Sequence, residues 1–327
     1  MMRRIVVPAA ALALFAAVPL LTGSGYLLGI LIVTGIYTIV VTGLGILMGY
    51  AGQISLGHAA FFGLGGYAVA ILTTSFRWPA PAALVAALVL PGIVAAVIGR
   101  PTLKLKELFL AMATLAFGIL VHIFFNEGGK ITGGPSGLSG VPYFKLGGLV
   151  FDRDTEFYYL VLAAVLLVFL AVKNLIDSRT GRALKAVRES EHAAEASGID
   201  TAGLKLRAFV FSAVLAGLAG GLYAFYVTFV NPSPFSFHTS VQFVLMAVIG
   251  GLGTLWGPLL GTGVVVFLGE FLRWAVPLVI PDAGGEYQII FFGMILVVLM
   301  VFRPEGLSRM IEMIRKGSVR EGESSAS

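Results

Sequence analysis

Long apolar runs, separated by short polar or glycine-rich stretches, recur from one end of the chain to the other. A helix needs about 20 mostly apolar residues to cross a bilayer. Ten stretches approach that: Ile5–Leu21, Tyr26–Met48, Ile54–Leu72, Pro81–Gly99, Leu108–Phe125, Phe157–Val172, Ala208–Val230, Val241–Leu252, Trp256–Val276 and Tyr287–Phe302. The pattern predicts an all-α polytopic transmembrane bundle of about ten membrane segments, with eight as the alternative. Val241–Leu252 is too short to span comfortably and runs into Gly250, Gly251 and Gly253, while Ile54–Leu72 holds Gly57, Gly63, Gly65 and Gly66. Both read as broken or re-entrant, which is tolerated where neighbouring helices or a cavity satisfy the backbone.

Composition agrees. The chain is 58% apolar and 12% charged, against about 25% charged residues in a soluble domain. Its 42 glycines suit helices that approach closely. The absence of cysteine excludes disulfides, thiolate metal sites and a cysteine nucleophile. A net charge of +5 would hint at nucleic acid in a soluble protein; here it reflects Lys and Arg kept on the cytoplasmic side. With ten spans and the N-terminus inside, 17 of the 22 basic residues fall inside, leaving Arg77, Lys130, Lys145, Arg153 and Arg273 outside. Both termini are therefore expected in the cytoplasm and Asn126–Glu156 outside. Met1–Gly25 has the outline of a secretory signal, Arg3–Arg4 followed by an apolar run. With nine more apolar segments behind it, it is expected to stay as a first span. The expected organisation is a membrane domain over 1–302 and a tail over 303–327, with Gly317–Ser327 disordered.

The chemistry that is missing narrows the function. No Gly-x-x-x-x-Gly-Lys-Ser/Thr occurs, so no P-loop is expected. Gly250-Gly251-Leu252-Gly253 follows an apolar helix, where close packing is the simpler role. His58, His122, His192 and His238 lack ligand spacing, so no metal site is expected. Asp, Glu, Lys and Arg are missing from the middle of every proposed span. Charge in hydrocarbon is costly and is kept for work, so proton coupling is disfavoured and energy is expected to enter from outside the membrane.

Two polar stretches stand out. Asn126–Glu156 contains the glycine-rich Gly133–Gly140, expected to form tight turns. Lys173–Arg207 is a long charged segment between spans. Ala183, Leu184, Ala186, Val187, Ala193, Ala194 and Ala196 favour helix, Ser190 is placed to cap a second short helix, and Gly198 sits where a helix stop belongs. Lys185 with Glu189, and Arg188 with Glu191, have the spacing of intrahelical ion pairs. The segment reads as a solvated connector or as a docking helix for a soluble partner.

Here a resemblance enters. Ala193-Ala194-x-x-x-Gly198 resembles the EAA loop of bacterial ABC-importer permeases, with His192 where that signature usually has Glu and with no Ile-x-Leu-Pro ending. Further blocks run in order: Gly52-Gln53-Ile54-Ser55-Leu56-Gly57-His58-Ala59; Gly133-Gly134-Pro135 with Gly137-Leu138; Gly181-Arg182-Ala183 through Arg188-Glu189; Asn231-Pro232; Gly250 to Thr254 with Gly257-Pro258; and Arg303-Pro304-x-Gly306-Leu307. Together they resemble the permease subunits of branched-chain amino acid ABC transporters of the LivM type. The resemblance implies an ABC-importer permease fold in the bacterial inner membrane. It also implies a second homologous permease subunit, two cytoplasmic ABC ATPases, a periplasmic binding protein and no nucleic-acid partner. The chain itself would bind no cofactor and catalyse nothing, ATP being used by the partner subunit. Gly181, Arg182, Arg188, Glu189, His192, Ala193, Ala194 and Gly198 become the expected ATPase-coupling residues.

A zwitterion crossing the bilayer needs polar lining. The candidates are Gln53, Ser55, His58, Thr114, Gln242 and Thr254, with the amides of a helix starting near Ser55 suited to a carboxylate. Alternative functions are a urea or short-amide ABC importer, and an ATP-independent channel or sodium-coupled secondary transporter.

Overall fold

Ser24 starts the first described helix by accepting a hydrogen bond from the Leu27 amide. The computed structural model describes residues 19, 24–102, 107–279, 293–294 and 307. The expected segments Ile5–Leu21 and Tyr287–Phe302, apart from residues 19 and 293–294, and the tail Gly317–Ser327 lie outside the described residues. In chain order the helices are α1 (Gly25–Gly49), α2 (His58–Thr74), α3 (Ala80–Thr102), α4 (Glu107–Glu127), one turn α5 (Gly129–Thr132), α6 (Asp154–Asp177), α7 (Arg179–Glu189), α8 (Glu191–Ala196), α9 (Thr201–Val227), α10 (Phe237–Gly250) and α11 (Gly257–Val279). Among the described residues six are long and apolar enough to cross a membrane, and α2 and α10 are apolar but shorter. This is a polytopic helical membrane protein; the expected count of about ten spans is not established.

α1 and α9 form the centre, with 72% of each apolar window buried, against 33% or 28% in the other four long helices. Inside α1, Thr34, Thr38 and Thr42 each donate their hydroxyl to the carbonyl four residues earlier, at 2.6–2.7 Å. Such back-bonding lets a polar side chain sit in a dry interior without an unmet donor. Close approach is bought with glycine: a Cβ at Gly65 of α2 would land on the Gly217 carbonyl of α9, and one at Gly220 on the Phe62 carbonyl. The outer helices show the converse. Val85, Val89, Ile93 and Val97 of α3, four residues apart, are all exposed apolar groups, the stripe expected of a helix facing lipid.

The two ends of the bundle differ. At one, Tyr26 donates to Glu270 at 2.6 Å, and Glu270 pairs with Arg273. The expected turn-rich loop contains α5, a 3₁₀ turn Gly134–Ser136 and strands β1 (Leu138–Ser139), β2 (Phe144–Leu146) and β3 (Leu149–Phe151). β2 and β3 form a hairpin, and β1 pairs antiparallel with β4 (Phe229–Val230) beyond α9. At the other end the last turn of α1 meets the turn after α10: a Cβ at Gly49 would strike the Gly253 amide.

Candidate functional site

Gly63, Gly65 and Gly66 lie inside an unbroken α2, and the chain leaves helix before it instead. After α1 the backbone runs without helix through Ala51–Gly57, with Gly52 at φ +69°, and α2 begins at His58, three residues later than Ser55. The loop is largely buried, so its polar groups must be met. Gln53 N donates to Leu47 O at 3.0 Å and Leu56 N donates to Thr114 Oγ1 of α4 at 3.1 Å. His58 places Nδ1 3.0 Å from Ser55 Oγ and Nε2 2.6 Å from Ser212 Oγ of α9. A neutral imidazole satisfies both contacts, donating to one hydroxyl and accepting from the other. Ala59 N donates to Ser240 Oγ of α10 at 3.0 Å.

Three of the six pathway candidates, Ser55, His58 and Thr114, thus belong to one knot that ties the break to α4, α9 and α10, and each is only 1% exposed. Near the start of α2, the amide of Leu56, in the loop before the helix, is held by the Thr114 hydroxyl, and that of Ala59, in its first turn, by the Ser240 hydroxyl. Gln53 is 3% exposed, and its Oε1 has no hydrogen-bond partner among the described residues. Gln242 is partly buried on α10. Thr254 lies instead in the turn between α10 and α11, donating to Gly251 O at 2.9 Å and accepting from Gly257 N at 3.1 Å. Ser212 and Ser240 were missed. Ser212 was visible as a lone serine within the apolar run Ala208–Val230; Ser240 stood one residue outside Val241–Leu252.

The charged segment forms an elbow. Ser178 accepts from Gly181 N and starts α7; Ser190 accepts from Ala193 N and starts α8, the split expected from the sequence. Gly181 is buried, and a Cβ there would lie 2.5 Å from the Leu175 carbonyl. Gly198 takes φ +81° and closes α8, with its amide bonded to Glu195 O and that of Ile199 to Ala194 O. The elbow is braced to α9: Lys205 pairs with Glu191 at 2.5 Å, and Thr201 donates to Glu195 at 2.7 Å.

Neither intrahelical ion pair expected in the elbow forms. Lys185 Nζ sits 5.4 Å from the centre of the Tyr50 ring, and Arg188 donates to the Gly49 carbonyl. Glu191, which Arg188 was expected to pair with, takes Lys205. The membrane-side partners win because a solvated i,i+4 pair contributes only about 0.2–0.5 kcal/mol. Arg182 donates to Asp177 O at 3.1 Å. Arg182, Arg188, Glu189, His192, Ala193 and Gly198 are exposed, but Ala194 is buried against its own chain at 4% exposure. Ala194 is thus corrected from a surface position to an internal one.

A protein-family model described as "Branched-chain amino acid transport system / permease component" matches residues 26–300. The high-affinity branched-chain amino acid transport system permease protein LivM of Salmonella typhimurium is 33% identical over 304 residues, covering 84% of this chain and 68% of that protein. Its namesake from Escherichia coli is 33% identical over 297 residues with the same coverage. The probable LivM permease protein of Methanocaldococcus jannaschii is 27% identical over 321 residues, covering 85% and 92%. No solved structure matches the chain.

Proposed function

Since the chain belongs to the branched-chain amino acid transport permease family, we propose that it is the membrane-spanning subunit of an ATP-driven importer that moves branched-chain amino acids inward across the bacterial inner membrane. A second homologous permease, two cytoplasmic ATPases and a periplasmic binding protein complete the assembly. ATP is bound by the ATPases, and this chain contributes the route and the lever. Both termini and the elbow face the cytoplasm; the β2–β3 hairpin faces the periplasm.

The observation that carries the reading is the elbow. α7 and α8 expose Arg182, Glu189, His192 and Ala193 on one side and bury Leu184, Val187 and Ala194 on the other. A free connector has no need of two capped helices and a braced start to α9. A surface that must transmit force does, because a rigid element moves as a unit where a loop absorbs the motion. Alternating access then follows from differential binding: closure of the ATPases favours one position of the elbow, and the bundle shifts with it.

The amino acid passes beside the knot at the start of α2. Gln53 Oε1 is a buried acceptor without a donor among the described residues, an arrangement that costs about 1–3 kcal/mol unless something meets it, and an ammonium is a suitable donor. Gln53→Leu removes the unmet acceptor at similar size. The expected result is unchanged or slightly higher thermal stability together with a several-fold rise in KM for uptake. Unchanged uptake kinetics would remove Gln53 from the route.

The reading as a whole is tested by purifying the chain with its co-expressed partners. The ATPase is expected to co-purify and its hydrolysis to rise when leucine-loaded binding protein is added. Stimulation by urea-loaded protein, with none by leucine-loaded protein, would transfer the assignment to a urea importer. No retained ATPase would refute the importer assignment.

A further inference from the structure

We propose that Arg188 is a strut, a positioning residue that carries movement of the elbow to both helix breaks. The proposal rests on the permease reading above.

Arg188 lies one residue beyond Val187, on the part of α7 that meets the membrane helices. Its Nη1 donates to the carbonyl of Gly49, the last residue of α1. That carbonyl is one of the four a helix leaves unmet at its C-terminus, where the partial charge is negative. A guanidinium suits it: planar, permanently charged and carrying five donors. The same Nη1 lies 3.2 Å from where a Cβ on Gly253 would sit, and Arg188 Cγ lies 3.4 Å from the corresponding point on Gly52. Gly52 and Gly253 take φ of +69° and +81°, so three glycines from two places in the chain, the end of α1 and the turn after α10, make the slot that receives one side chain.

Tyr50 closes the slot, donating its hydroxyl to Gly253 O at 2.8 Å beneath Lys185 Nζ. Each wall leads onward into the bundle. Gly52 stands near the start of the loop that reaches His58 and the knot six residues later. Gly253 adjoins Thr254, whose hydroxyl holds the first amide of α11. A shift of α7 therefore displaces both breaks through one charge-assisted hydrogen bond, which is stronger than a neutral one. Arg188 is exposed and uses one of its five donors on Gly49, so the test has to separate a strut from a docking contact.

The test uses the complete transporter with its partner subunits in proteoliposomes, measuring ATP hydrolysed per leucine taken up. For Arg188→Met the expected result is a normal amount of co-purified ATPase, continued hydrolysis, and a ratio raised about tenfold or more. Arg188→Lys should restore most of the coupling. Tyr50→Phe, which removes the hydroxyl reaching Gly253, should raise the ratio about two- to threefold. Loss of the ATPase from Arg188→Met, with Tyr50→Phe normal, would make Arg188 a docking contact and overturn the proposal. If Arg188→Met does not accumulate, Tyr50→Phe decides: an unchanged ratio overturns the proposal. Lack of ATP-driven uptake by the unaltered complex would refute the permease reading itself, and the strut with it.

Discussion

His58 joins two helices through one ring, and its partners Ser55 and Ser212 are 1% and 0% exposed. Truncation strands two hydroxyls and opens a cavity at once. His58→Ala is therefore expected to destabilise the chain by about 2–5 kcal/mol, read as a lower unfolding temperature in detergent. Ser212→Ala should cost about 1–2 kcal/mol, and the double variant less than the sum, because both changes remove the same bond. Strict additivity would mean that the bond contributes nothing. The presence of His58 in a glycine-rich break was legible from the sequence; its partners were not. A lone serine in an apolar helix is ordinary, and which helix it faces depends on packing separated by 154 residues.

At the scale of elements the elbow teaches the same distinction. Ser190 and Gly198 announced the break and the end of α8 because capping is local chemistry: a side-chain oxygen for a free amide, and a positive φ that glycine adopts without strain. The late start of α2, at His58, was hidden because Thr114 meets the amide of Leu56 from another helix and lets the loop stay unwound. The charge pairs also misled. Lys185 and Arg188 have helical partners by spacing, yet Lys185 sits over the Tyr50 ring and Arg188 donates to the Gly49 carbonyl. Ser190→Ala is expected to lose about 1 kcal/mol at the start of α8. Hydrogen exchange should speed up in α8 and leave α1 unchanged; equal protection in both variant and parent would show that the cap is idle.

For the whole molecule, the two ends should face opposite compartments. Residues at the α1–α10 end, near Gly49 and Gly253, touch the elbow, while the β2–β3 hairpin lies beyond α4 and α6 at the other end. The chain has no cysteine, so single replacements report cleanly. With a membrane-impermeant maleimide, Leu149→Cys should be labelled in intact cells and Ala193→Cys after access to the cytoplasm. Labelling of both from one side would contradict the alternating path of the helices. The chain's membrane character was legible throughout, since hydropathy depends on composition alone. The division into a buried pair, α1 and α9, and a lipid-facing rim was not, because their mean hydropathies, 2.3 and 1.9, fall within the 1.6–2.5 range of the other four long helices.

On the function proposed above, this chain moves branched-chain amino acids only when a partner hydrolyses ATP. The most direct measurement is uptake of labelled leucine into proteoliposomes that hold the permease pair and ATPases, with loaded binding protein on one face and ATP on the other. Accumulation against a gradient is predicted with ATP, and none with ADP or with an ATPase unable to hydrolyse. Equal leucine flux without ATP, or none with it, would contradict the account.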